Sequence, residues 1–223
     1  MNQDGKALTR RQMLELAFGL GGLAALSGPA FAQEAKRLLT PRVTRGPFYP
    51  LMKPLDTDAD LTLLAGNKNR AEGRIVHLAG RVLNDRGEPV TGAKVEIWQA
   101  NAHGRYAHSS DPNTAPLDPN FQGFGVQTTD GEGRYRFKTI KPGAYPTGPT
   151  RKRPPHIHFD VAGKINRLTT QMFFAGEALN EQDQLFLELG PRKEAAIAHI
   201  LPTPPDLEAD SLVVNFDIVL GRS

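Results

Sequence analysis

The sequence predicts an all-β fold, an antiparallel β-sandwich with an extended N-terminal arm and few short helices. Three observations predict it. Runs of strand-forming residues recur from about Arg74 onward. Polar turns built on Asn, Asp, Gly and Pro separate them. A single short stretch, "EAAIAHIL" (Glu194 to Leu201), reads as a helix. Strands and turns in this alternation indicate a sandwich or a barrel. The chain has 223 residues, with 22 Gly, 18 Pro and no Cys. That length fits one domain plus tails, and it suffices to bury a core without disulfides. A formal charge of +3, with no Lys/Arg block and few aromatic residues, argues against nucleic acid as a partner.

Residues 1–32 read as an export signal rather than as part of the fold. Arg10 and Arg11 precede an uncharged apolar run from Leu16 to Leu26, and "AFA" (Ala30 to Ala32) offers small residues for cleavage. The run is too short to cross a bilayer as a helix, so no stable membrane insertion is expected. The arginine pair after Thr9 resembles a twin-arginine signal, although Met13 and Glu15 depart from the usual pattern, and an ordinary secretory signal stays open. Either route predicts a periplasmic or otherwise exported protein that starts near Gln33. Residues 33–73 are irregular and proline-bearing and read as an arm lying on the sandwich.

Residues 74–223 carry the strands. "RIVHLAGRVLNDRGEPVTGAKVEIWQA" is a strand, a turn on Asn84, Asp85 and Gly87, and a second strand. "GVQTTDGEGRYRFKTIKPGAYP" repeats the device on Asp130, Gly131 and Gly133. In its second strand Tyr135, Phe137 and Thr139 alternate with charged residues, which assigns Tyr135 to the core. "HIHFDVAG", "RLTTQMFFAG" and "SLVVNFDIVL" are further strands. Such strands also suit sandwich modules without chemistry, so an exported binding module is the rival reading, and fold alone does not separate the two.

The site has to decide. In "RPPHIHFDV", His156 and His158 lie two residues apart on a strand and point to the same face. Paired imidazoles suit a metal ion; a partly exposed strand that happens to hold histidines is the plain alternative. Tyr106 ("NAHGRYAH") and Tyr145 ("KPGAYPTGP") fall in loops after strands, where functional groups collect. Phenolate is a hard anionic donor suited to ferric iron. The set lacks the carboxylate of the ferrous facial triad and the cysteine favoured by zinc. Two phenolates and two imidazoles therefore favour Fe(III) with room for a chelating ligand. His77, His103, His108 and His199 read as surface or structural residues. Asp118 and Asn120 read as turn formers and Trp98 as core beside the site, while Tyr49 stays ambiguous.

The stretches "VEIWQANAHGRYAH", "APLDPNF", "GRYRFKTIKPGAYP", "RPPHIHF", "TTQMFF" and "FDIVL" together resemble the intradiol ring-cleavage dioxygenases, in particular the iron-bearing chains that act on protocatechuate. The resemblance implies a non-haem Fe(III), one per chain, held by Tyr106, Tyr145, His156 and His158. It implies a catechol, protocatechuate-like, cleaved with O2 between its two hydroxyls to a cis,cis-muconate. Tyr145 would leave the metal as a proton acceptor, Arg153 would stand beside the substrate, and Gln171 would support Arg153 or the ring. Thr147 and Lys152 occupy places where close relatives carry tryptophan, which implies a wider or more polar pocket. A homo-oligomer or a related partner chain is the implied assembly.

Overall fold

A computed structural model of the chain describes residues 38–221. The export signal expected over residues 1–32, with Arg10, Arg11 and the cleavage point near Ala32, lies outside the described residues. Among those described, no helix is long and apolar enough to cross a membrane.

Eleven strands follow the predicted order. They are β1 (Ile75–Leu83), β2 (Lys94–Trp98), β3 (Phe124–Thr128), β4 (Arg134–Ile140), β5 (Tyr145–Pro146), β6 (Lys152–Arg153), β7 (His156–Ala162), β8 (Arg167–Phe174), β9 (Ile197–Leu201), β10 (Leu212–Asn215) and β11 (Ile218–Val219). Nine of them form one hydrogen-bonded path, β11-β1-β10-β9-β8-β7-β2-β3, with β4 on the other side of β1. The path folds over on itself at β9. Ile197 and Ala198 pair in parallel with Phe173 and Phe174 of β8, whereas His199 to Leu201 pair antiparallel with β10. One layer is therefore β4, β1, β10 and β11, and the other is β3, β2, β7 and β8. Most pairings are antiparallel, but β1 meets both β10 and β11 in parallel.

The two polar turns carry the chain from layer to layer, since β1 and β2 do not pair, nor do β3 and β4. Asn84 Oδ1 accepts the Arg86 and Glu88 amides, and Asp130 Oδ1 accepts those of Glu132 and Arg134. Tyr135, Phe137 and Thr139 are all buried, as their alternation on β4 predicts. Tyr135 and Phe137 join Ile97, Ile157, Phe159, Val161 and Val214 in the core between the layers, and Thr139 donates to Gln99 Oε1.

The helix expected over Glu194 to Leu201 is not there. A 3-10 turn, Gly190–Ala196, gives way to strand β9 at Ile197. Alanine-rich sequence favours a helix locally, but two neighbouring strands with free edges flank this segment. Pairing with both outweighs a helix propensity of a few tenths of a kcal/mol per residue, about the spread between ordinary residues. The one α-helix among the described residues is a single turn, α1 (Gln184–Leu187).

The arm residues described, 38–73, form no strand and lie along the sandwich through backbone hydrogen bonds. Thr40 N–H reaches Val219 O, Val43 N–H reaches Thr169 O, and Leu61 N–H reaches Lys138 O.

Candidate metal centre

β7 is read differently by its two faces. Ile157, Phe159 and Val161 point into the core and are fully buried. His156, His158 and Asp160 point to the opposite face, which would be wet if the arm did not cross it. The register places Trp98 of β2 on one side of His158 and Gln171 of β8 on the other. Trp98 stacks on the His158 ring at 4.8 Å with an interplanar angle of 12°, confirming it as a core residue that flanks the site.

The tyrosines arrive from two loops that are fastened together. Asn101 Oδ1 accepts the His103 and Arg105 amides, and Tyr106 N–H donates to Asp111 Oδ2 at 2.7 Å. Gly104, at φ +78°, lies so close to the second loop that a Cβ there would sit 2.5 Å from the Ala144 carbonyl oxygen. Only glycine permits that approach. The loop then enters the short β5–β6 pair, whose register puts Tyr145 opposite Arg153.

The four predicted donor residues meet. His156 Nε2 and His158 Nε2 are 3.2 Å apart, and Tyr106 Oη is 3.1 Å from His158 Nε2 and 3.5 Å from His156 Nε2. The Tyr145 ring centroid lies 5.6 Å from those of both Tyr106 and His156. All four side chains are buried. His156 Nδ1 is 2.8 Å from the Pro154 carbonyl oxygen, to which it donates, so Nε2 carries the lone pair that faces the cluster. A backbone carbonyl behind the ring is how metal-bound imidazoles are commonly oriented. His158 Nδ1 is buried without a partner.

Burial, followed by the Arg153 charge, pushes the His156 imidazole well below its usual pKa. Burial, His156 and Arg153 do the same to His158. Burial raises the Tyr106 phenol well above its usual value, with Tyr145 adding to it, and burial raises Tyr145 while Arg153 opposes. Without a cation the cluster is thus two neutral imidazoles and two protonated phenols, with Tyr106 Oη and both imidazole Nε2 atoms gathered within 3.5 Å of one another. Among the described residues no group of three His, Cys, Asp or Glu side chains could hold a metal, so the facial-triad alternative has no donors. The His/His/Tyr/Tyr set fits a hard, highly charged cation that ionises the phenols.

Arg153 is held from several sides. Its Nε donates to Asp183 Oδ2 at 2.7 Å, Nη2 to Gln171 Oε1 at 2.8 Å, and Nη1 lies 3.0 Å from His156 Nε2. Gln171 is fully buried and donates its own amide to Thr44 O, so it braces the arginine and the arm at once. Asp183 was not foreseen from the sequence. Its signal is weak, because it also caps α1 by accepting the Phe186 amide, and that role alone accounts for an aspartate there.

The arm completes the site, which sequence reasoning missed. Phe48 packs on Tyr106 at 4.7 Å, and a Cβ on Gly46, at φ +70°, would sit 3.3 Å from His158 Cε1. Two buried carboxylates that face each other across β2 and β7, Glu96 and Asp160, anchor this segment. Arg45 pairs with Asp160; Lys53 and Lys94 pair with Glu96, which also accepts the Tyr49 hydroxyl at 2.7 Å. Tyr49, ambiguous in the sequence, is therefore an arm anchor and packs edge-on against Trp98. Burial pushes the Glu96 carboxyl up, but Lys53, Lys94 and Tyr49 outweigh it and hold it at about 2. Its folded pKa lies below the unfolded one, so its contribution is present above pH 4.5 and lost as pH falls towards 2. Glu96→Gln is expected to lower stability by about 1–3 kcal/mol at neutral pH, read by denaturant unfolding, and to flatten that acid dependence. An unchanged midpoint would remove Glu96 as the anchor.

The other histidines stay outside the cluster. His77 pairs with Glu208 and His103 with Glu72, His199 is exposed, and His108 packs at the edge of Phe48. Asp118 forms the expected turn by accepting the Asn120 amide, and its other oxygen accepts the amide of Glu72.

Residues 44–221 match the family model described as "Dioxygenase". The chain is 46% identical over 170 residues to the protocatechuate 3,4-dioxygenase beta chain of Burkholderia cepacia, covering 74% of this chain and 72% of that one. It is 32% identical over 200 residues to a catechol 1,2-dioxygenase of Acinetobacter baylyi, covering 82% of this chain and 62% of that protein. Among solved structures, the dioxygenase domain of a carbohydrate-binding fusion from Streptomyces sp. SirexAA-E superposes with a TM-score of 0.63 at 26% identity, over 83% of this chain and 99% of that one. With the sandwich in place, the four donors gathered on its arm-covered face and these relatives alongside, the chain belongs to the intradiol ring-cleavage dioxygenases and is an enzyme of that class.

Proposed function

We propose that one ferric ion per chain sits among Tyr106, Tyr145, His156 and His158, and that the enzyme cleaves a catechol between its two hydroxyls with O2 to give a cis,cis-muconate. The observation that carries the proposal is the convergence of Tyr106 Oη with two imidazole Nε2 atoms inside 3.5 Å, buried and beside Tyr145. The likeness to a protocatechuate 3,4-dioxygenase chain supports a ring of the kind protocatechuate carries.

Ferric iron bound there would draw electron density from a chelated catecholate, so that dioxygen adds to a hydroxyl-bearing ring carbon. The residues do the rest. Tyr145 is less enclosed than Tyr106 and lines the cavity that opens over the site. Burial makes its phenolate a strong base, so it is placed to take a proton from an incoming catechol hydroxyl. Tyr106, packed against Phe48, and the two histidines hold their places. Arg153 keeps a positive charge beside His156 and Tyr145, where negative charge builds on the ring. Nothing in the site or among the relatives supports the rival reading, an exported binding module without chemistry.

The test is the metal and the product. Protein expressed with added iron is expected to be red-brown from phenolate-to-iron charge transfer and to carry one iron per chain. With catechol it is expected to consume O2 and form a colourless diacid. A zinc-loaded protein, or a yellow semialdehyde from cleavage beside the hydroxyls, would overturn the proposal.

A further inference from the structure

We infer that this centre takes a bulky uncharged catechol, one whose ring substituent is apolar and as large as a second ring, and that it does not recognise a carboxylate on the ring. The inference rests on the ring-cleavage reading above and names the substrate class for it.

Size is the first observation. The cavity over Tyr145, Arg153 and His158 has a volume of about 590 Å³. Pockets of roughly 300–1,000 Å³ are those that enclose drug-sized ligands, so a single catechol ring leaves much of this one unfilled. Pro47, Phe48, Pro112, Pro146 and Leu185 give it an apolar wall.

Charge is the second. Two charged residues line the cavity, Arg153 and Asp111. The guanidinium is already committed through Nε and Nη2 to Asp183 and through Nη2 to Gln171, while Nη1 lies against His156, where the ring itself would sit. Its charge is matched by the Asp183 carboxylate, itself only 4% exposed. Asp111 accepts the Tyr106 and Asn113 amides and forms no ion pair with any described residue. Asn113 spends its side chain on Gly104 O and the Ala115 amide, and Thr44 Oγ1 accepts the Gly46 amide. That leaves the Thr147 hydroxyl and the donor side of the Thr44 hydroxyl as the uncommitted polar groups on this wall among the described residues. Arg151 and Lys152 line a neighbouring groove that meets the cavity only at Thr147, Arg153 and Leu185. A ring carboxylate entering beside the metal would find a single lining cation, Arg153, whose charge Asp183 already balances, and would face Asp111. Leaving a buried charge unpaired is strongly unfavourable, whereas an aryl group gains by covering the apolar wall.

The experiment compares kcat/KM of the iron-loaded enzyme for three probes by oxygen uptake: catechol, 3,4-dihydroxybenzoate and 4-phenylcatechol. Expected is an advantage of 4-phenylcatechol over catechol of about 10-fold or more, with 3,4-dihydroxybenzoate below both. Calorimetry with 4-hydroxybiphenyl and 4-hydroxybenzoate gives a readout independent of turnover, and the uncharged ligand is expected to bind more tightly by a similar factor. Asp111→Asn is expected to narrow the gap between 3,4-dihydroxybenzoate and catechol. A merely structural loss would lower both alike and leave their ratio unmoved. A kcat/KM for 3,4-dihydroxybenzoate equal to or above that for 4-phenylcatechol overturns the inference and leaves ring cleavage standing. No turnover of any of the three overturns the ring-cleavage reading itself.

Discussion

Arg153→Ala is expected to keep its iron and to lose turnover on the order of 100-fold, the scale of removing one preorganised charge-stabilising donor. None of the four proposed ligands is removed, so metal content checked by elemental analysis should stay near one per chain. The rate falls because the guanidinium is the cation that the structure aims at the cluster, 3.0 Å from His156 Nε2 and opposite Tyr145 on the paired strands. One complication is built in. Asp183 is buried and would lose its ion-pair partner, and breaking a buried pair costs about 3–5 kcal/mol. The double variant Arg153→Ala, Asp183→Asn removes the orphaned charge. If stability recovers and turnover stays low, the deficit belongs to the reaction. Turnover near wild type in the single variant would show that the charge is not used.

His156→Ala is expected to do the reverse, with iron content and the red-brown colour falling to background. The pH dependence of the iron-free protein gives a second measure. Both imidazoles are held well below their ordinary pKa of 6.5, chiefly by burial. The folded state therefore favours their neutral forms. Stability is full above the unfolded pKa and is lost as pH falls through it, by up to about 1.4 kcal/mol per pH unit for each histidine. Urea unfolding of iron-free wild type at pH 7.5 and 5.5 should show that loss, and His156→Ala should show about half of it. A variant that still binds iron at full occupancy would remove His156 from the ligand set.

Much of this site was legible because strands alternate. Two histidines at a spacing of two had to share a face, and Tyr135 in phase with Phe137 had to be core. The tyrosine loops followed from their position after strands and from a chemistry that needs their oxygens. What stayed hidden depends on partners far along the chain. Asp183 reads as a helix cap until Arg153 is seen beside it. Gly46 and Phe48 read as irregular linker until the arm lies over His158 and Tyr106. The strand at Ile197 to Leu201 looks helical because Ala195, Ala196 and Ala198 favour a helix, and the two neighbours that recruit it are absent from any local window.

The way β1 is shared bears on the order of assembly. Its partners are β4, far downstream, and on the other side β10 and β11 at the end of the described chain, joined in parallel from Val76 against Leu212 to Leu83 against Val219. A ribosome-bound chain still lacking that last segment carries β1 with one edge open, a surface on which strands of other chains can pair. Contacts this distant in sequence also close slowly. The layer bearing His156 and His158 is complete in its own strands well before then, but Thr40 of the arm is hydrogen-bonded to Val219. The arm that covers the histidines is thus moored to β11, so the cover over the site closes only after that strand has been made.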